Sequence, residues 1–134
     1  MDLTATISPK SDQLNADDLL AGAKTIRITG IKAGTPEQPV SISYEGDNGK
    51  PWKPCKSMRR VLVVAWGANG AAYIGRRLTL VNDPGVVFGG QKVGGIRISH
   101  MSHIKADVTI ALTATRGQRR PYTVKPLEPE TTLT

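Results

Sequence analysis

The sequence predicts a single domain that is mainly β. Its 134 residues are enough for one hydrophobic core and hardly for two. The 39% of hydrophobic residues excludes a disordered polymer, and 14 glycines with 9 prolines are too many for a long helical bundle or coiled coil. Several short segments alternate apolar and polar residues, which is the period of a half-buried strand. Short strands joined by turns are therefore expected.

The N-terminal quarter predicts an arm, a helical turn and a bent strand. Residues 1–15 show no sustained period, which is typical of an extended arm. Asn15 can cap a short helix over residues 16–21, since acidic residues in its first turn suit the helix dipole. Residues 25–29 alternate, and Gly30 allows a bulge. A curved first strand is the expected result.

The second and third strands are predicted around a hairpin turn. Residues 40–44 alternate cleanly, and residues 47–49 contain Asn-Gly, which accepts the positive φ angles of a type I′ turn. The return segment, residues 50–55, contains two prolines, so only a short or edge strand is expected there. An exposed edge at this place would also allow a homodimer.

One segment, residues 56–67, predicts a helix. Apolar residues repeat there at helical spacing and form one face: Met58, Val61, Leu62 and Ala65. Three valines lower the helix propensity, so a buried strand is the alternative.

Strand signals resume after the helix, at residues 76–81, 96–99 and 108–114, with a glycine-rich excursion at residues 86–95. Three strands, one helix and two or three further strands is the order of a five-stranded Greek-key OB-like barrel, with the helix between strands 3 and 4. An open sheet with one packed helix is the alternative.

The charge favours an anionic partner. The chain has 18 Lys and Arg residues against 11 Asp and Glu residues, a net charge of +7. All of this excess falls on residues 16–127, the predicted OB-like domain, which contains 17 bases against 7 acids. This domain is expected to lie between the N-terminal arm and a mobile acidic tail at residues 128–134. A domain this basic attracts polyanions, and nucleic acid is the commonest soluble one.

Binding of single strands needs cations along a groove and flat side chains on which bases stack. Arg27 and Arg97 alternate with apolar neighbours and should lie on outer strand faces, and Trp52 lies between two lysines. The predicted nucleic-acid-binding residues are the cations Arg27, Lys53, Lys92, Arg97, Arg116, Arg119 and Arg120 and the rings Trp52, Phe88 and Tyr122. We expect these cations to form one continuous outer track.

Other site classes are not supported. His100 and His103 lack the nearby Cys, Asp and Glu residues that would complete a tetrahedral metal site. The glycine pairs at residues 89–90 and 94–95 match no phosphate-binding loop. No Ser/His/Asp arrangement or close carboxylate pair suggests hydrolysis. The sequence therefore predicts neither an enzyme nor a cofactor.

The expected location is the cytoplasm, with no membrane contact. Cys55 is the only cysteine, which excludes an internal disulfide and agrees with a reducing compartment. No apolar run approaches the roughly 18 residues of a membrane span, and the first residues do not form a secretion signal.

Four motifs together resemble a group of small phage and prophage proteins. They are the acidic-leucine start at residues 15–20 followed by the predicted strand at residues 25–31, the Lys-x-Met-x-Arg-Val-Leu run at residues 56–62, and the segments at residues 73–80 and 89–98. The likeness spans about residues 15–105, and Tyr73 stands where members often have Trp. It implies an OB-like module that binds single-stranded DNA, with RNA as the alternative, in the cytoplasm of a bacterial host.

Two hypotheses follow for the function. The first is a non-enzymatic single-stranded DNA-binding protein of phage replication or recombination, with other replication or recombination proteins as partners. The alternative is a phage structural or protein-interaction module, such as an inhibitor of a host machine, that uses the same barrel.

Overall fold

The computed structural model describes residues 12–84, 87–88, 91–92, 95–115 and 118–128. Within these ranges, residues 87–92 and 113–120 are described by their backbone pairing alone. The described residues form eight strands, one α-helix and two 3₁₀ turns: Ala16–Leu19 (3₁₀), β1 Lys24–Ala33, β2 Val40–Tyr44, α1 Lys56–Trp66, Gly70–Tyr73 (3₁₀), β3 Arg77–Asp83, β4 Val87–Phe88, β5 Gln91–Lys92, β6 Gly95–Met101, β7 Val108–Thr115 and β8 Gln118–Pro126.

Six strands form one mixed sheet in the order β2-β1-β3-β6-β8-β7, and β4 and β5 form a separate two-stranded ribbon. All pairs are antiparallel except β6 and β8, which are parallel. The predicted mainly β class with one helix is confirmed. The sheet is not closed into the predicted five-stranded barrel, so in this respect the structure agrees with the alternative of an open sheet.

The first strand bends so that its two halves pair with different neighbours. Residues 24–27 pair with β3, whereas residues 28–33 pair with β2. The register with β2 shifts between Ile28 and Gly30, which is the irregularity expected at this glycine. The bend lets β1 join both halves of the sheet.

The segment after β2 forms less strand than predicted. The turn before it is the expected one, because Asn48 and Gly49 have φ angles of 53° and 78°. Trp52 then pairs with Ile42 through two backbone hydrogen bonds of 2.8 and 2.9 Å. Pro51 and Pro54 flank this pair and have no N–H to donate, so the pairing stops after one residue.

The helix α1 packs through the face that the sequence predicts. Met58 and Val61 are fully buried, Leu62 is buried, and Ala65 packs against the core at its edge. Gly67 ends the helix with a φ of 90°. The core beneath α1 is contributed by the main strands: Ile26, Ile28, Ile42, Leu78, Leu80, Ile98, Met101, Ile110, Leu112 and Val124.

The last strand was not expected. β8 pairs along β7 and also makes two parallel pairs with β6, which attach the β7–β8 hairpin to the rest of the sheet. Its first half contains three polar residues followed by Pro121, so its sequence lacks the alternation of a half-buried strand.

Among the described residues, no helix has both the length and the apolar character needed to cross a membrane.

Two valines in α1 test the packing of the helix. Val61 is 0% exposed, whereas Val64 is 57% exposed. Val61→Ala removes buried methyl groups and leaves a cavity, so we expect a loss of about 2 kcal/mol in the free energy of unfolding. Val64→Ala should change it by less than about 0.5 kcal/mol, or stabilise slightly, because alanine is the better helix former. Urea denaturation of both variants measures this, and equal losses would contradict the packing.

Candidate nucleic-acid interface

A pocket of about 220 Å³ lies beside the start of α1. Three parts of the chain form it: residues 13–16, residues 52–55 and the first residues of β6. The first part is held in place by Leu14, which is buried and donates its backbone N–H to the Pro51 carbonyl at 2.9 Å. The pocket brings together three of the predicted binding residues, Trp52, Lys53 and Arg97.

Three of the predicted cations lie beside carboxylates. Lys53 Nζ is 3.7 Å from Asp12 Oδ2, and Arg97 Nε is 3.9 Å from Asp83 Oδ2. Arg27 Nε is 3.8 Å from Glu45 Oε2. These distances exceed the 2.7–2.9 Å of a charge-assisted hydrogen bond, and pairs at a protein surface contribute about 0–1 kcal/mol. The charge of Lys53 is therefore only partly compensated by Asp12.

Arg27 is not brought to the pocket. It pairs with Arg77 at the start of β3, whereas Arg97 pairs with Val81, four residues further along the same strand. The Arg27 guanidinium also donates to the Gly75 carbonyl at 3.2 Å. Arg27 and Arg97 therefore occupy separate positions on the sheet.

Trp52 does not have the exposed ring that stacking requires. Its pairing with Ile42 places it in the core, where it is 1% exposed. A base cannot reach either face of the ring, so the prediction that Trp52 is a stacking platform is wrong.

Tyr122 lies near Arg97, which is one of the residues that line the pocket. The ring is half-buried against the core, and its hydroxyl donates to the Ile98 carbonyl in β6. Burial raises the pKa of Tyr122, while Arg97 lowers it and Asp83 and Cys55 raise it, which shows that these groups lie near one another. The hydroxyl connects β8 to β6, so Tyr122 has a structural role besides any contact with a ligand.

Five further predicted binding residues have side chains outside the described part of the structure. Arg116 lies outside the described residues, and so do the side chains of Phe88, Lys92, Arg119 and Arg120. The backbone places Phe88 and Lys92 on the ribbon of β4 and β5. The backbone of Arg119 and Arg120 lies within β8 and pairs with β7.

A run of cations that the prediction mostly omitted lies next to the pocket. We call residues 50–60 the basic segment; they contain five bases and no acid: Lys50, Lys53, Lys56, Arg59 and Arg60. Only Lys53 of these makes an ion pair within the described part of the chain. The sequence alone contained a signal for this segment, because eleven consecutive residues with five bases and no acid can be seen without a structure.

The basic segment has an extended first part, residues 50–55, and a helical second part, residues 56–60. Lys50 and Lys53 lie on the proline-containing part, whereas Lys56 and Arg60 are exposed on the first turns of α1. Arg59 turns back and donates to the Pro54 carbonyl at 2.9 Å. The first turn of α1 has no acidic residue, although the helix dipole favours negative charge there. This end of the helix is therefore a strongly positive region.

The two histidines each contact a neighbouring serine. Each interacts with the serine before it: Ser99 Oγ is 2.8 Å from His100 Nδ1, and Ser102 Oγ is 2.7 Å from His103 Nδ1. Over the described ranges, no group of three or more His, Cys, Asp and Glu side chains is arranged to hold a metal ion.

The burial of Trp52 can be tested by fluorescence. The chain has two tryptophans, so Trp66→Phe leaves Trp52 as the only one. Because its ring is shielded, we expect acrylamide to quench this variant several-fold less than free tryptophan, and saturating oligo-dT to leave its emission unchanged. Strong quenching by the oligonucleotide would restore Trp52 as a stacking residue.

Comparison of the chain with protein-family models, with curated proteins and with solved structures gave no match. The function is therefore argued from the geometry and charge of this interface.

Proposed function

We propose that the chain is a non-enzymatic single-stranded DNA-binding protein, of the kind that serves phage replication or recombination. The observation that carries the proposal is the basic segment. It places five bases on eleven consecutive residues with no acid among them. Contacts between such basic side chains and phosphates supply most of the affinity of sequence-independent binding.

The local charge arrangement supports an anionic ligand. Lys56 and Arg60 are four residues apart on α1, so their side chains are neighbours on the helix surface. Like charges at this spacing destabilise a helix by about 0.2–0.5 kcal/mol. A bound polyanion removes this repulsion, which favours contact with phosphates over a merely solvated surface.

The shape of the interface favours a single strand over a duplex. The cations follow a path that turns from the extended residues 50–55 onto α1, with the pocket at its side. A single strand is flexible enough to follow such a turn, whereas duplex DNA is stiff over about 50 nm. Since Trp52 is buried, we expect charge to contribute more than stacking.

The fold is proposed to be a variant of the five-stranded Greek-key OB-like barrel. Two features support this relationship. β1 pairs with both β2 and β3, and the bridge at Trp52 occupies the position of a third strand just before α1.

The alternative function is a phage structural or protein-interaction module. It is favoured by apolar side chains that α1 leaves at the surface, since Val63 and Val64 are each about half exposed. Purification from phage-infected cells with and without nuclease distinguishes the two functions. Co-purifying proteins that remain after nuclease treatment would favour the protein-interaction module.

Binding to fluorescein-labelled oligo-dT, measured by anisotropy at several salt concentrations, tests the DNA-binding proposal. The informative variant is Lys56→Gln with Arg60→Gln. If each cation contacts one phosphate, the plot of log K against log salt should become less steep by about 1.4. Each contact to a single strand contributes about 0.7 to the magnitude of its negative slope.

A matched control carries the same change of charge elsewhere. Lys32→Gln with Lys125→Gln also removes two exposed cations, but neither belongs to the basic segment. The control should keep the salt slope of the unmodified protein. Equal losses in the two double variants would mean that net charge, and not the basic segment, controls binding. No binding by the unmodified protein at low salt would overturn the proposal, and oligo-rU compares RNA with DNA.

A further inference from the structure

We propose that the pocket beside the basic segment binds the terminal phosphate of a DNA strand. The ligand chemistry is a phosphate monoester, held by Lys53 and Arg97. This inference rests on the proposed function and makes it more specific, because it adds recognition of a strand end to sequence-independent binding.

The two cations reach the pocket from different parts of the chain. Lys53 belongs to the segment fixed by the Trp52 pair, and Arg97 belongs to β6. Their side chains are only 19% and 23% exposed. Partial exclusion of water strengthens the attraction between a cation and an anion, so these two positions attract a phosphate more strongly than the exposed cations of α1.

The acidic partner of Lys53 can be displaced. Asp12 Oδ2 lies 3.7 Å from Lys53 Nζ, beyond the length of a charge-assisted hydrogen bond. Arg97 and Asp83 are likewise 3.9 Å apart. The Asp12 side chain is 86% exposed, so it remains hydrated when it moves away. Asp12 does not line the pocket and pairs only loosely with Lys53, so a phosphate with better geometry can replace it as the partner of Lys53.

The pocket suits a terminal phosphate better than an internal one. An internal phosphodiester carries one negative charge, and its chain continues on both sides. A phosphate monoester carries about 1.5 to 2 negative charges at neutral pH, which matches two cations. It also has a single ester link to the strand, so it can lie in a pocket of about 220 Å³ while the rest of the strand stays outside.

Two oligonucleotides with the same number of phosphates test this inference. A 5′-phosphorylated dT nonamer and an unphosphorylated dT decamer each carry nine phosphates, but only the first has a monoester. We expect the phosphorylated strand to bind about tenfold more tightly, since a hydrogen bond to a charged group contributes enough for such a factor. A 3′-phosphorylated nonamer serves as the same test for the other strand end.

Three variants assign the preference to the pocket. Lys53→Gln and Arg97→Gln should each remove the preference for the phosphorylated strand, while Lys50→Gln, outside the pocket, should weaken both strands equally. Asp12→Asn should increase the preference, because it removes the competing carboxylate. Circular dichroism of each variant controls for folding.

The outcomes separate this inference from the proposed function. Equal affinity for the phosphorylated and unphosphorylated strands would overturn terminal-phosphate recognition and leave DNA binding intact. Failure of both strands to bind at low salt would overturn the proposed function itself. Competition between dTMP and the phosphorylated strand tests whether the pocket binds a free nucleotide instead of a strand end. If dTMP binds in a Lys53-dependent way while the strands bind equally, the strand-end proposal is wrong.

Discussion

The backbone pair between Trp52 and Ile42 is the constraint on which the interface depends. Two prolines limit the pairing to this single residue, so the chain touches the sheet once and leaves it again. The contact buries the Trp52 ring and leaves Lys53 and Cys55 at the pocket. Without this pair, the pocket would lose one of its three sides.

The basic segment is tolerated because the fold separates its charge from its packing. Met58 and Val61 on the apolar face of α1 are fully buried, while Lys56 and Arg60 are exposed. Repulsion between neighbouring cations costs a few tenths of a kcal/mol, and burying each of these apolar side chains contributes about 1.5–3 kcal/mol. Packing therefore outweighs the repulsion, and the cations remain available to a ligand.

The sequence predicted those features that depend on neighbouring residues. Alternation located β1, β2 and β7, helical spacing located the buried face of α1, and Asn48-Gly49 located the hairpin turn. It missed features that depend on distant pairing. β8 contains charges and a proline, and it is a strand because β7 and β6 lie beside it. Trp52 lies near two lysines, as a surface residue does, and only its pairing with Ile42 buries it.

The same distinction explains why the predicted cations and the observed basic segment differ. Alternation identifies a residue such as Arg97 as facing away from its apolar neighbours, but strand register decides what lies next to it. The register of β3 and β6 places Asp83 within 3.9 Å of Arg97, and no local pattern contains that information. Lys56 and Arg60 lie on a helix, where neighbours are three or four residues away in the same segment. That segment has no acid, and neither side chain forms an ion pair with a carboxylate of the described residues, so their charge stays uncompensated there.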